Sequence, residues 1–142
     1  MADKNAFWDG VGMDAEEESQ PINFCMDARI GVMHGAMIDA ESVDSGNTPT
    51  TTLRQGLVMG RITSTGKYVP YDDSGTDDGR RVARGILAKE VNMLNAAGTS
   101  VDVEAPLHFQ GYYDEDKLTG LDANGKTDLI GLGCTFKEDY RV

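Results

Sequence analysis

The sequence predicts a mainly β fold: a small β-barrel or tulip-like domain with short or no helices, preceded by an extended N-terminal arm. Three observations predict it. Short apolar runs alternate with Gly- and Asp-rich turn signals, and the 17 glycines are scattered rather than periodic, which suits turns and bulges and excludes a collagen-like repeat. One segment alternates over ten positions, with Val101, Val103, Ala105, Leu107 and Phe109 on one face and Asp102, Glu104, Pro106, His108 and Gln110 on the other. Charge is uneven: residues 1–50 carry ten acidic against two basic side chains, and residues 51–142 carry 14 against 11. A chain of 142 residues has room for one domain. The expected division is an acidic arm and linker over 1–49, with strand-forming capacity in 21–40, and a β-rich domain over 50–142.

Along the chain, residues 1–20 hold Phe7, Trp8, Val11 and Met13 as large apolar side chains and end near Glu16-Glu17-Glu18. So few apolar groups do not repay ordering entropy by themselves. A Trp beside a Phe suits a clip that orders on a partner; a solvated tail with incidental aromatics is the alternative. Ile22, Phe24 and Met26 then alternate as a half-buried strand does, followed by Ile30, Val32, Met33, Met37 and Ile38. Residues 41–52 read as a loop rich in Ser, Asp, Gly, Asn and Thr.

Residues 53–63 and 67–71 flank the turn signal Ser64-Thr65-Gly66-Lys67 and predict a hairpin. Pro70 has no N–H to donate, which puts the return strand at an edge or puts Pro70 at its end. After the loop 72–79, a strand is expected over 83–88 rather than a helix, because Gly85 would cost a helix interior ~1 kcal/mol relative to Ala. The alternating segment predicts a strand within 100–113. Residues 114–128 read as a polar connection. Ile130, Leu132, Cys134 and Phe136 alternate with small residues and predict a closing strand over 129–136.

Function classes narrow from charge and motif. A net charge of −11 repels the nucleic-acid backbone and anionic lipid, so neither DNA nor a membrane is an expected partner. No apolar run approaches the ~20 residues of a membrane span, and the acidic start is unlike a signal peptide. The expectation is a soluble cytoplasmic product in which Cys25 and Cys134, far apart and without CxxC spacing, stay reduced. His34 and His108 have no nucleophile setting, and neither cysteine has an adjacent basic residue to lower its pKa.

Asp122, Asn124 and Asp128 approach calcium-loop spacing, but Gly125 comes too early and no terminal Glu follows. They read as turn formers, as do Asp72, Asp73, Asp77 and Asp78. Arg80, Arg81 and Arg84 form the one basic cluster, suited to neutralising Asp77 and Asp78 or to pairing with acids of a neighbouring subunit. Lys67 sits beside a turn, as the modified lysine of a lipoyl or biotinyl carrier does, but lacks the flanking Asp or Met. Gly131-Leu132-Gly133 is no dinucleotide fingerprint. No cofactor and no metal are expected.

The stretch 51–92 resembles the signature region of the head decoration proteins of lambda-like tailed phages. It has a Thr/Leu-containing first strand, then Thr65-Gly66-Lys67-Tyr68, an Asp/Gly-rich loop, and a strand with Ala83, Gly85, Ile86 and Leu87. The later strands fall in the family's order, so the resemblance covers about 50–142. It implies a structural capsid protein and not an enzyme. Such a protein binds the outer surface of the expanded head as trimers at three-fold and quasi-three-fold sites and reinforces it against packaged DNA. Its implied partners are the major capsid protein and its own copies. Its implied location is the virion surface, with the host cytoplasm during assembly. Family N-terminal segments order on the capsid and add a strand to its sheets. That makes Phe7, Trp8, Ile22, Phe24 and Met26 the expected arm contacts, by β-augmentation. Arg80, Arg81 and Arg84 are the expected inter-subunit contacts. A phage tail or baseplate β domain is the alternative.

Overall fold

The structure, a computed structural model, describes residues 24–25 and 31–137. Its strands are β1 (Gly31–Ile38), β2 (Thr52–Leu53), β3 (Val58–Arg61), β4 (Tyr68–Pro70), β5 (Ala83–Leu87), β6 (Val91–Asn92), β7 (Val103–Tyr113) and β8 (Thr135–Phe136), and among the described residues one α-helix, α1 (Ala123–Leu132), precedes β8. The mainly β expectation holds.

Turn chemistry sets the hairpin. Gly66 adopts φ 78°, and its N–H closes back onto the Ile62 carbonyl at 2.8 Å. The strands then pair antiparallel with Arg61 opposite Tyr68 and Met59 opposite Pro70. Pro70 ends β4, where its missing donor does least harm.

β5 lies antiparallel to β3 on one side and to β7 on the other. Strand order β1-β4-β3-β5-β7 closes because β1 also pairs with β7, from Gly31 opposite Gly111 to Ile38 opposite Val103. The result is a five-stranded closed barrel, which leaves those strands no open edge. β2 and β6 form a separate two-stranded ladder, and β8 extends the sheet parallel to β7. β1 falls inside 21–40, the stretch between arm and domain, and its pairing makes it a barrel strand.

The period-two reading of β7 is visible in its packing. Ala105 and Leu107 are buried with Ile38, Met59 and Leu87 in one cluster, and Val103 and Phe109 border it. Tyr113, beyond the register shift of the β1–β7 ladder, belongs to a second cluster, with Val58, Ala83, Ile86, Leu129, Cys134 and Phe136.

The expected strand over 129–136 is corrected. Residues 123–132 are helical and only Thr135–Phe136 pair as a strand. Asp122 caps the helix by accepting from the Gly125 N–H at 2.7 Å, and Gly133 ends it at φ 108°. Ile130, Leu132 and Cys134 alternated with small residues, and that pattern does not separate a strand from one face of a short helix. Gly125 permits the helix to sit close: a Cβ there would be 3.0 Å from the Tyr71 ring.

The loop between β1 and β2 is stitched to the barrel. Asp44, 3% exposed, takes both Arg54 guanidinium bonds at 2.7 and 2.8 Å and a third from the Arg54 N–H at 3.2 Å. Burial works against the Asp44 charge, but the Arg54 bonds outweigh it and hold the carboxyl below its usual range.

Candidate functional site

Of the expected arm contacts, Phe7, Trp8, Ile22 and Met26 lie outside the described residues. Phe24 is described, and it is buried at 2% exposure. Its ring meets His108 edge-on at 5.1 Å and tilts against Tyr113 at 5.9 Å. The Phe24 carbonyl accepts from the Asp114 N–H at 2.8 Å, and Cys25 bridges antiparallel to Tyr113. The incoming chain is thus pinned to the far end of β7 by one ring and one backbone bridge. His108 completes a three-ring cluster with Phe24 and Tyr113, and burial holds its imidazole below the usual range. Its contacts make it a packing ring.

The three arginines do not act together. Arg80 forks onto Asp78 at 3.0 and 2.8 Å, and this pairing is the main reason the Asp78 carboxyl sits at about 2. Arg81 donates from Nε to the Gly75 carbonyl at 2.8 Å. Arg80 borders an acidic cleft of about 580 Å³ that also exposes Asp39, Glu41 and Asp72. Arg84 is elsewhere. Met59 pairs with Gly85 and Gly60 with Ala83, so Arg84 is the extra residue of a bulge in β5. A bulge re-aims its side chain, and Arg84 lines a different groove.

That groove, about 430 Å³, is built at one end of the barrel. β1, β4 and β5 begin there, while β3 and β7 finish there. Each strand contributes a residue: Val32, Tyr68, Arg84, Arg61 and Phe109. Phe109 forms the floor, stacked on His34 at 4.2 Å and met edge-on by Tyr68 at 5.9 Å. Arg61 and Arg84 are exposed and have no carboxylate partner among the described residues. Burial raises the Tyr68 hydroxyl above its usual range, and the two arginines pull it part of the way back, so both charges reach the groove. The sequence concealed this site. Arg61 and Arg84 are 23 positions apart and converge only through barrel closure and one bulge.

The calcium-like residues hold structural posts. Asp122 caps α1 and accepts from the Tyr71 hydroxyl at 2.8 Å, Asn124 donates to Asp73 at 2.7 Å, and Asp128 accepts from the Ala83 N–H at 3.0 Å. Among the described residues no three His, Cys, Asp or Glu side chains are grouped to hold a metal. Lys67 is tied to Asp102 at 2.7 Å. Both cysteines are unbridged; Cys134 is buried, and burial pushes its thiol up to about 11.

No curated protein matches the sequence. Residues 35–107 match the family described as bacteriophage lambda head decoration protein D. The match runs from the middle of β1 to the middle of β7, so it contains β2 to β6 whole and includes both groove arginines and Tyr68. It spans just over half of the 142 residues, and the chain belongs to the bacteriophage lambda head decoration protein D family.

Proposed function

We propose that this chain is a structural, non-enzymatic cement of a phage head, bound to the outer surface of the expanded shell as trimers at three-fold and quasi-three-fold sites. The observation that carries the reading is the coincidence of the family match with the closed barrel. A barrel that satisfies its own strands is a rigid knob that does not polymerise through its edges. Attachment then falls to segments outside it. In this reading residues 1–23 form the arm and Phe24 anchors its base, while Phe7, Trp8, Ile22 and Met26 supply shell contacts. Arg80, Arg81 and Arg84 supply contacts between copies. Three arms on one trimer make attachment multivalent, and individually weak contacts gain roughly 10²–10⁴ in apparent affinity. The bound trimers hold neighbouring capsid subunits together against the pressure of packaged DNA.

The test is co-sedimentation with expanded heads of the phage concerned, beside a chain lacking residues 1–23. Deletion stops before Phe24, so every described strand is kept. Stoichiometric binding that weakens on deletion supports the reading. A folded chain that leaves unoccupied heads bare overturns it and moves the search to the tail or baseplate.

A further inference from the structure

The barrel-end groove has the chemistry of a receptor: an aromatic floor of Phe109 and Tyr68, an apolar wall at Val32, and two arginines without a described carboxylate partner. Its volume, about 430 Å³, lies within the ~300–1,000 Å³ of ligand pockets. The ligand it fits is a peptide carrying a large aromatic next to a carboxylate. Arginine recognises the carboxylate by a paired bond and stacks on aromatic faces as well.

The chain's own front end carries that pattern. Phe7, Trp8 and Asp9 are consecutive, and residues 1–23 hold six acidic side chains against one basic. The described chain also leads from the arm to this end of the barrel. β1 starts at Gly31, one residue before Val32 of the groove wall. Phe24 lies fifteen positions after Asp9, a stretch that spans up to about 50 Å when extended, so reach does not limit docking. Tethering raises the local concentration of the segment to about the millimolar range.

We propose that in the free protein this groove docks residues 7–9 of the same chain, with Phe7-Trp8 on Phe109 and Tyr68 and the Asp9 carboxylate between Arg61 and Arg84. Asp14 and Glu16-Glu17-Glu18 then lie in the field of the same arginines. The arm of an unattached copy is thereby held against its own barrel, and attachment to a shell draws it out. Docking concerns the free chain alone and does not rest on the shell-binding reading, so either can fail without the other.

Trp8 is the single tryptophan, so its fluorescence reports the arm directly. In the full-length protein its emission is expected to be blue-shifted relative to the urea-unfolded chain, and acrylamide should quench it several-fold more slowly. The double variant Arg61→Glu, Arg84→Glu should abolish both effects, and so should Asp9→Lys. Joining Asp9→Lys to the glutamate pair should restore them. Circular dichroism of each variant checks that the barrel is intact. The proposal is overturned if Trp8 is quenched as fast in the parent as in the unfolded chain. It is equally overturned if the folded charge variants leave Trp8 unchanged, or if shielding depends on protein concentration, which would assign the docked segment to another copy.

Discussion

Asp44 shows how one carboxylate decides the path of a long loop. Its buried group accepts three hydrogen bonds from Arg54, so replacing it by Asn keeps the shape and removes the charge. Charge-assisted bonds contribute about 1.5–3 kcal/mol each, but Arg54 is 36% exposed and water compensates part of the loss. Asp44→Asn is expected to cost about 1–3 kcal/mol in urea denaturation at pH 7. The sign with pH follows from the lowered folded value. The contribution is complete above the unfolded pKa of ~3.9 and is lost as pH falls through the folded one. The variant and parent should therefore converge in stability as pH drops below about 4. Cys134 makes a second residue-scale prediction. Buried and pushed up to about 11, its thiol presents little thiolate at pH 8. Iodoacetamide trapping followed by mass spectrometry should find Cys134 unmodified until the chain unfolds, with half-buried Cys25 modified first.

Among the elements, the hairpin β3–β4 and the strands β5 and β7 could be read from the sequence because each carries its signal locally: a Gly turn, a terminal proline, an interrupted apolar run, a sustained alternation. α1 was not legible. Its apolar residues are few and spaced by glycines, and the helix is fixed by a cap at Asp122 and a glycine contact with Tyr71, which is 54 positions from Gly125. Tertiary packing decided that segment, not propensity. The alternation of Ile22, Phe24 and Met26 was legible only as a pattern. What it could not show is that the Phe24 ring faces Tyr113 and His108 inside the core. That burial yields an element-scale prediction. Phe24→Ala should cost about 3–5 kcal/mol, as core Phe truncations do, and its loss should raise amide exchange at the far end of β7 first.

At the scale of the whole molecule, closure is the dominating constraint. The ladder that closes the barrel joins β1 to β7, with Gly31 opposite Gly111, 80 positions apart. Barrels dominated by such distant pairings fold in roughly milliseconds to seconds, slower than helical proteins of equal size. Stopped-flow refolding should fall in that range, and unfolding followed by tyrosine absorbance and by backbone signal should coincide, since an open barrel has no stable half. The groove was invisible to sequence reading for the same reason. Its arginines and rings come from four strands that share one rim only after the ring is shut, whereas the family resemblance rests on contiguous stretches and survived intact.

Tyr113 has Phe24 at 5.9 Å and Phe136 at 6.3 Å, and both Cys25 and Phe136 pair with it, so the first and last described segments flank the same end of β7. From residue 24 to residue 137 the described chain comes back to the same end of β7, one short splice from closing on itself. A permuted gene that splices residue 137 to residue 24 and opens instead in the exposed turn at 95–98 would keep every strand pairing while moving both termini to a different part of the surface. Such a molecule would present no arm, and it would separate what the barrel does as an object from what its leading segment does as a tether.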